Sequence, residues 1–123
     1  MKTHSPAFLR LVDDARQRIR EVELSALLPR LGGAAAPVLV DVREQDEWAA
    51  GHARGALFLS KGVIERDIED VLPDLDQEIV LYCGGGYRSA LAADALQQMG
   101  YRRVSSLVGG WRAWLAAQAP VEH

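Results

Sequence analysis

Cysteine is almost absent from this 123-residue chain: Cys83 is the only one. No intrachain disulfide can form, and one thiol with three scattered histidines (His4, His52, His123) matches no zinc or iron–sulfur ligand spacing. No resident metal or cofactor is therefore expected. Aromatic residues are also sparse, at 7%, and no stretch approaches the ~18 apolar residues of a membrane span. The opening Met1-Lys2-Thr3-His4-Ser5-Pro6 lacks the apolar core of a signal peptide, so a soluble protein in the reducing cytoplasm, without a membrane partner, is expected. There is no excess of basic charge either. Fourteen Lys and Arg are interleaved with seventeen Asp and Glu, which gives no support to nucleic-acid binding. Repeats, low-complexity tracts and linkers are missing too.

What is present suffices for one globular domain. At this size about two-thirds of the unfolded chain's surface can be buried, so a core forms without covalent staples. Ser5-Pro6 reads as an N-cap followed by proline at the first helical position, with Phe8, Leu11, Val12, Ala15 and Ile19 at helical spacing and Asp14 four residues before Arg18. A second helical stretch, Leu24 to Leu31, stops at Gly32-Gly33. Strands are expected at 37–42, 56–59, 78–82 and 103–107, and helices at 44–50, 63–72, 87–99 and 110–118. The valine-rich run Val38-Leu39-Val40-Asp41-Val42 and the run Ile79-Val80-Leu81-Tyr82 read as strands buried on both faces. Strands alternating with helices predict an α/β fold with a parallel sheet.

The chemistry concentrates where the second of those runs ends. Cys83 sits at the carboxyl end of a strand, followed by Gly84, Gly85 and Gly86, then by Tyr87, Arg88 and Ser89 at the start of a helix. Open α/β sheets bind ligands at this kind of position. Inward-turned amides of a glycine loop, the positive end of a helix and a nearby arginine favour an anion, and the first anion they meet is the Cys83 thiolate. Arg88, five residues on, is expected to fold back and close the loop. Two other readings are an inert buried cysteine before a turn, and a dinucleotide loop; the second lacks the spaced glycine fingerprint.

The segment from Ile79 to Ala90 resembles the active-site loop of the rhodanese sulfurtransferases. Asp41-Val42-Arg43-Glu44 with Glu47-Trp48, Gly51-His52-Ala53-Arg54-Gly55-Ala56, and Leu107-Val108-Gly109-Gly110-Trp111 with Trp114 match the same family in order. The resemblance implies a three-layer α/β/α domain over 23–118, with an N-terminal helical extension over 1–22 and a short tail over 119–123. It implies that Cys83 takes sulfane sulfur from a donor, such as thiosulfate or a persulfide, and passes it to a thiophilic acceptor (cyanide in assay). Donor and acceptor are expected to be small molecules, with a persulfide-carrying protein as a further partner. Arg88 would act with Cys83, the loop from Gly84 to Tyr87 with Ser89 would hold the persulfide, and Asp41 and Arg43 would brace the loop.

Cysteine-dependent phosphatases and arsenate reductases are the alternative users of such a loop. Phosphatases typically have five residues between cysteine and arginine, whereas four intervene here, and Tyr82 stands where they usually carry histidine. A non-catalytic rhodanese-like binding module is disfavoured by the presence of Cys83. His52 is expected to serve its turn, the three tryptophans to pack, Ser89 either to cap its helix or to donate to the thiolate, and Arg54, Lys61 or Glu65 to line the mouth.

Overall fold

In the computed structural model, which describes residues 3–123, five parallel strands form a central sheet. They are β1 (Arg20–Val22), β2 (Val38–Asp41), β4 (Leu57–Phe58), β5 (Ile79–Tyr82) and β6 (Val104–Leu107), in the order β1-β6-β5-β2-β4. A separate two-stranded ribbon pairs β3 (His52–Ala53) antiparallel with β7 (Val121–Glu122). The described residues form six α-helices: α1 (Pro6–Arg16), α2 (Leu24–Leu27), α3 (Gln45–Ala50), α4 (Ile64–Val71), α5 (Tyr87–Gln98) and α6 (Gly110–Ala116). None of the described helices is long and apolar enough to cross a membrane.

Alternation along the central strands creates two cores, because successive side chains leave a strand on opposite faces. Val40, Ile79, Leu81 and Val104 pack with Ile64 and Ile68 of α4 and Ala92, Ala93 and Leu96 of α5. Leu39, Val80, Tyr82 and Leu107 pack on the other face with Leu24 and Leu27 of α2 and Trp114 of α6. The result is the expected α/β/α sandwich, with α1 lying outside α5.

Three details depart from the expected pattern. The second helical stretch breaks after Leu27 into a single 3-10 turn, Leu28–Arg30, where Pro29 falls. Residues 20–22 form β1, which pairs with β6 from Arg20↔Ser105 to Val22↔Leu107; three residues of REV carry too little periodicity to signal a strand. Helix α5 buries Ser89, Ala92, Ala93 and Asp94 as well as Ala90 and Leu96, because it is sandwiched between the sheet and α1.

Helix α1 begins as the sequence indicates, with the Ser5 hydroxyl accepting from the Phe8 amide at 3.2 Å. Val12 and Ala15 are buried, whereas Leu11 points outward. Arg18, just past the helix, grips Asp94 of α5 with two hydrogen bonds of 3.0 and 2.7 Å while also meeting Asp14 at 3.0 Å. These contacts anchor the N-terminal segment to the sandwich and bring residues 3–8 to the carboxyl edge of the sheet.

Candidate active site

The chain leaves β2 toward β4 on one side and β5 toward β6 on the other, so the strand order reverses between β2 and β5. Loops diverge there and leave a crevice beyond the strand ends. The register Asp41↔Tyr82 sets the segment after β2 beside the one after β5. Cys83 lies at the base of a cavity of about 780 Å³ at this crevice, and is itself 1% exposed.

The sulfur is held by the loop that follows it. The Gly86 amide donates to Sγ at 3.1 Å and the Ser89 amide at 3.4 Å, and the Ser89 hydroxyl stands 3.5 Å away. That hydroxyl also contacts the Ser106 hydroxyl of β6 at 2.8 Å, so it faces the sulfur instead of capping α5. The cap position is Gly86, whose left-handed φ of 99° turns its N–H inward. Gly84 and Gly85 have no left-handed φ, and the two amides that reach the sulfur are those of Gly86 in the loop and Ser89 in α5.

From behind, the loop is held by α6. The Trp111 amide donates to the Cys83 carbonyl at 2.7 Å and the Arg112 amide to the Gly84 carbonyl at 3.1 Å. So close an approach requires Gly110: a Cβ there would overlap the Cys83 carbonyl oxygen, and its φ is +46°. Gly110→Ala is expected to destabilise the fold by more than the ~1–2 kcal/mol of the left-handed backbone alone, because the carbonyl must also retreat. Chemical denaturation and the alkylation rate of Cys83 measure the two consequences; an unchanged value of both would refute this account of the loop.

Arg88 folds back beside the loop, next to Gly84 and with its charge close to Cys83. Its guanidinium is taken by Glu47, with bonds of 2.8 and 3.2 Å. Glu47 has no role that the sequence alone assigns. The signal was local: Glu44 and Glu47 form a capping box at the start of α3, in which the Glu47 carboxylate accepts from the Glu44 amide at 3.0 Å. The cap holds Glu47 in place, and the adjacent β2 and β5 ends bring it to Arg88. The Arg88 guanidinium, followed by the Glu44 amide, holds the Glu47 carboxyl below the usual range against the opposing effect of burial.

Its protons thus bind more tightly in the unfolded chain, and stability must rise with pH between the lowered folded value and the ordinary ~4.3. The contribution is complete above that window and is lost on acidification through it. Glu47→Gln is expected to flatten the melting temperature against pH below about pH 4.5 relative to the wild type; superimposable acid limbs would contradict it.

Asp41 and Arg43 are both buried and bond each other, at 3.0 Å from Nε and 2.8 Å from Nη2. Nη2 also donates to the Gly51 carbonyl at 2.7 Å, and the guanidinium lies 4.6 Å from the Trp111 ring and 5.7 Å from that of Tyr82. The pair reaches the loop through Trp111, not directly. Burial, with Asp41 alongside, pushes the Tyr82 phenol well above the usual range, and its oxygen accepts from the Ala53 amide at 3.1 Å.

His52 stacks on Trp48 at 3.4 Å and pairs with the Trp48 carbonyl through Nδ1, away from the sulfur. Trp114 is core, with Nε1 donating to the Pro120 carbonyl at 2.8 Å. Arg54, Lys61 and Glu65 do not line the cavity. Its mouth is made instead by residues from the N-terminal segment, by Glu44 and Asp46, and by Arg112. Tyr87 forms part of the wall, with its ring 4.5 Å from His4.

The sequence model described as "Rhodanese-like domain" matches residues 23–117. The chain belongs to the rhodanese-like family. It is similar to the thiosulfate sulfurtransferase GlpE of Haemophilus influenzae, 33% identical over 69% of this chain and 79% of that protein. A sulfurtransferase of Allochromatium vinosum is 35% identical over 84% of this chain and 94% of its own. Among solved structures, a Rhodopseudomonas palustris protein of unknown function, described as a possible tyrosine phosphatase, superposes with a TM-score of 0.85 at 30% identity and covers 99% of this chain and 98% of that one. The superposition runs over nearly the whole of both chains, so it includes the N-terminal segment that precedes the matched family region.

Proposed function

We propose that this protein is a sulfurtransferase in which Cys83 carries the sulfur. The supporting observation is the thiol at the base of the cavity with two backbone amides and a hydroxyl aimed at its sulfur. The Cys83 thiolate attacks the outer sulfur of a donor such as thiosulfate; the donor's S–S bond breaks, its electron pair leaves with sulfite, and a Cys83 persulfide remains. An acceptor nucleophile then takes the outer sulfur and restores the thiolate. Amides that face the sulfur stabilise negative charge there without reorganisation. No second protein thiol is needed, which suits a chain with one cysteine. Arg88, tied to Glu47, acts as a fixed positive charge beside the loop, and Asp41 and Arg43 position it from behind.

A phosphatase reading has the description of the R. palustris relative in its favour. Against it stands the small loop. A phosphoryl group needs donors for three oxygens and a free arginine fork, whereas two amides converge here and Arg88 is also bonded to Glu47. Incubation with thiosulfate or a small persulfide, followed by intact-mass measurement, is expected to show a sulfur-sized gain that cyanide removes. Turnover of an aryl phosphate with no gain from any donor would overturn the proposal.

A further inference from the structure

Residues 3–8 precede the region matched by the family, yet Thr3, His4, Ser5 and Phe8 form one side of the cavity above Cys83. The His4 ring lies 4.5 Å from Tyr87 and 5.1 Å from Phe8, and Phe8 lies 6.4 Å from Tyr87, so three rings make a continuous wall. Their positions are set by anchored parts: Phe8 by the first turn of α1, which Arg18 and Asp94 hold on α5, and Tyr87 by the first turn of α5 itself.

The rest of the lining is charged, and its carboxylates outnumber its guanidiniums. Among the described residues, the lining carries three carboxylates (Glu44, Asp46 and Glu47) and two guanidiniums (Arg88 and Arg112); Glu47 and Arg88 compensate each other, which leaves Glu44 and Asp46 against Arg112. Glu44 and Asp46 make no ion pair among those residues, so their fields act on whatever enters. Inorganic thiosulfate offers two negative charges to this mouth and no apolar surface to the rings. A donor with an organic body and a single negative charge meets less repulsion and buries its apolar part against the rings.

From this we infer that the N-terminal segment, through His4 and Phe8 with Tyr87, is a specificity-determining wall that selects organic sulfane donors bearing an apolar or aromatic group over inorganic thiosulfate. The inference rests on the sulfurtransferase reading and names the substrate class of the same site. With an arenethiosulfonate, the Cys83 thiolate attacks the outer sulfur, the S–S bond breaks, the electron pair leaves on the arenesulfinate, and the Cys83 persulfide anion forms. Two negative charges enter the step and two leave it, and no outside oxidant or reductant is required.

The test compares benzenethiosulfonate with thiosulfate as donors to the full-length wild type, Phe8→Ala and His4→Ala, with cyanide as acceptor. The readout is the ratio of kcat/KM for the two donors. The wild-type ratio is expected to favour the aryl donor, and Phe8→Ala is expected to lower it about tenfold, the scale of one lost aromatic contact. His4→Ala, which lies outside every helix, is expected to lower it in the same direction and guards against a folding defect in the other variant. A ratio that stays within about twofold of the wild type in both variants, while both donors load Cys83, overturns the inference and leaves the sulfurtransferase reading standing. If intact mass finds no sulfur on Cys83 from either donor, both fall.

Discussion

Cys83→Ser is expected to abolish sulfur transfer from every donor, by about a thousandfold or more, with a change in stability under about 1 kcal/mol. The chain has no other thiol to substitute. A serine hydroxyl is not ionised at neutral pH, and oxygen cannot take up a transferable sulfane sulfur. The fold should survive because the Gly86 and Ser89 amides and the Ser89 hydroxyl, now turned to the sulfur, remain as hydrogen-bond partners for the new hydroxyl. Intact mass after incubation with donor should show no sulfur-sized gain, while circular dichroism and the melting curve stay those of the wild type. Residual turnover of more than a few percent, with a folded protein, would remove Cys83 as the carrier.

Asp41→Ala is expected to produce the largest loss of stability, about 3–5 kcal/mol, because it leaves a guanidinium in the interior without its counter-charge. Arg43 is 3% exposed and Asp41 is 0% exposed, so water cannot replace the lost carboxylate. The Gly51 carbonyl and the ring of Trp111 remain beside the guanidinium, but neither carries a full charge. For a chain of this length the loss corresponds to a fall in melting temperature of roughly 12–20 °C. Adding Arg43→Met should recover a large part of it, since an apolar side chain of similar length removes the unpaired charge. A double variant no more stable than Asp41→Ala would place the cost elsewhere, in the bond from the Arg43 amide to Asp41 at 2.8 Å. Either variant should also slow reactions at Cys83, because Arg43 supports Trp111, whose amide holds the Cys83 carbonyl.

Local pattern carried much of this protein. Ser5-Pro6 began α1, the valine run formed β2, and the strand, glycines and helix around Cys83 appeared where the spacing placed them. Each depends on residues within one or two turns of one another, so propensity and periodicity are enough to reveal them. The four motifs after residue 38 likewise sufficed to indicate the family, which the match over 23–117 establishes.

Other features depended on contacts across long stretches of chain. Glu47 meets Arg88 from 41 positions away, Arg18 meets Asp94 from 76, and β1 exists because β6 supplies its hydrogen bonds. The place of Arg88 beside the loop could be read from its own segment, whereas its partner Glu47, on α3, could not. The mouth was misassigned for the same reason: Arg54, Lys61 and Glu65 lie within the matched region, whereas His4 and Phe8 reach the cavity only after α1 docks on α5. The sequence alone thus determined the α/β order of elements and the thiol loop, where neighbouring residues cooperate. Tertiary structure decided which charges pair around Cys83 and which rings wall its cavity, because packing of distant segments sets those distances and leaves no periodic trace in the chain.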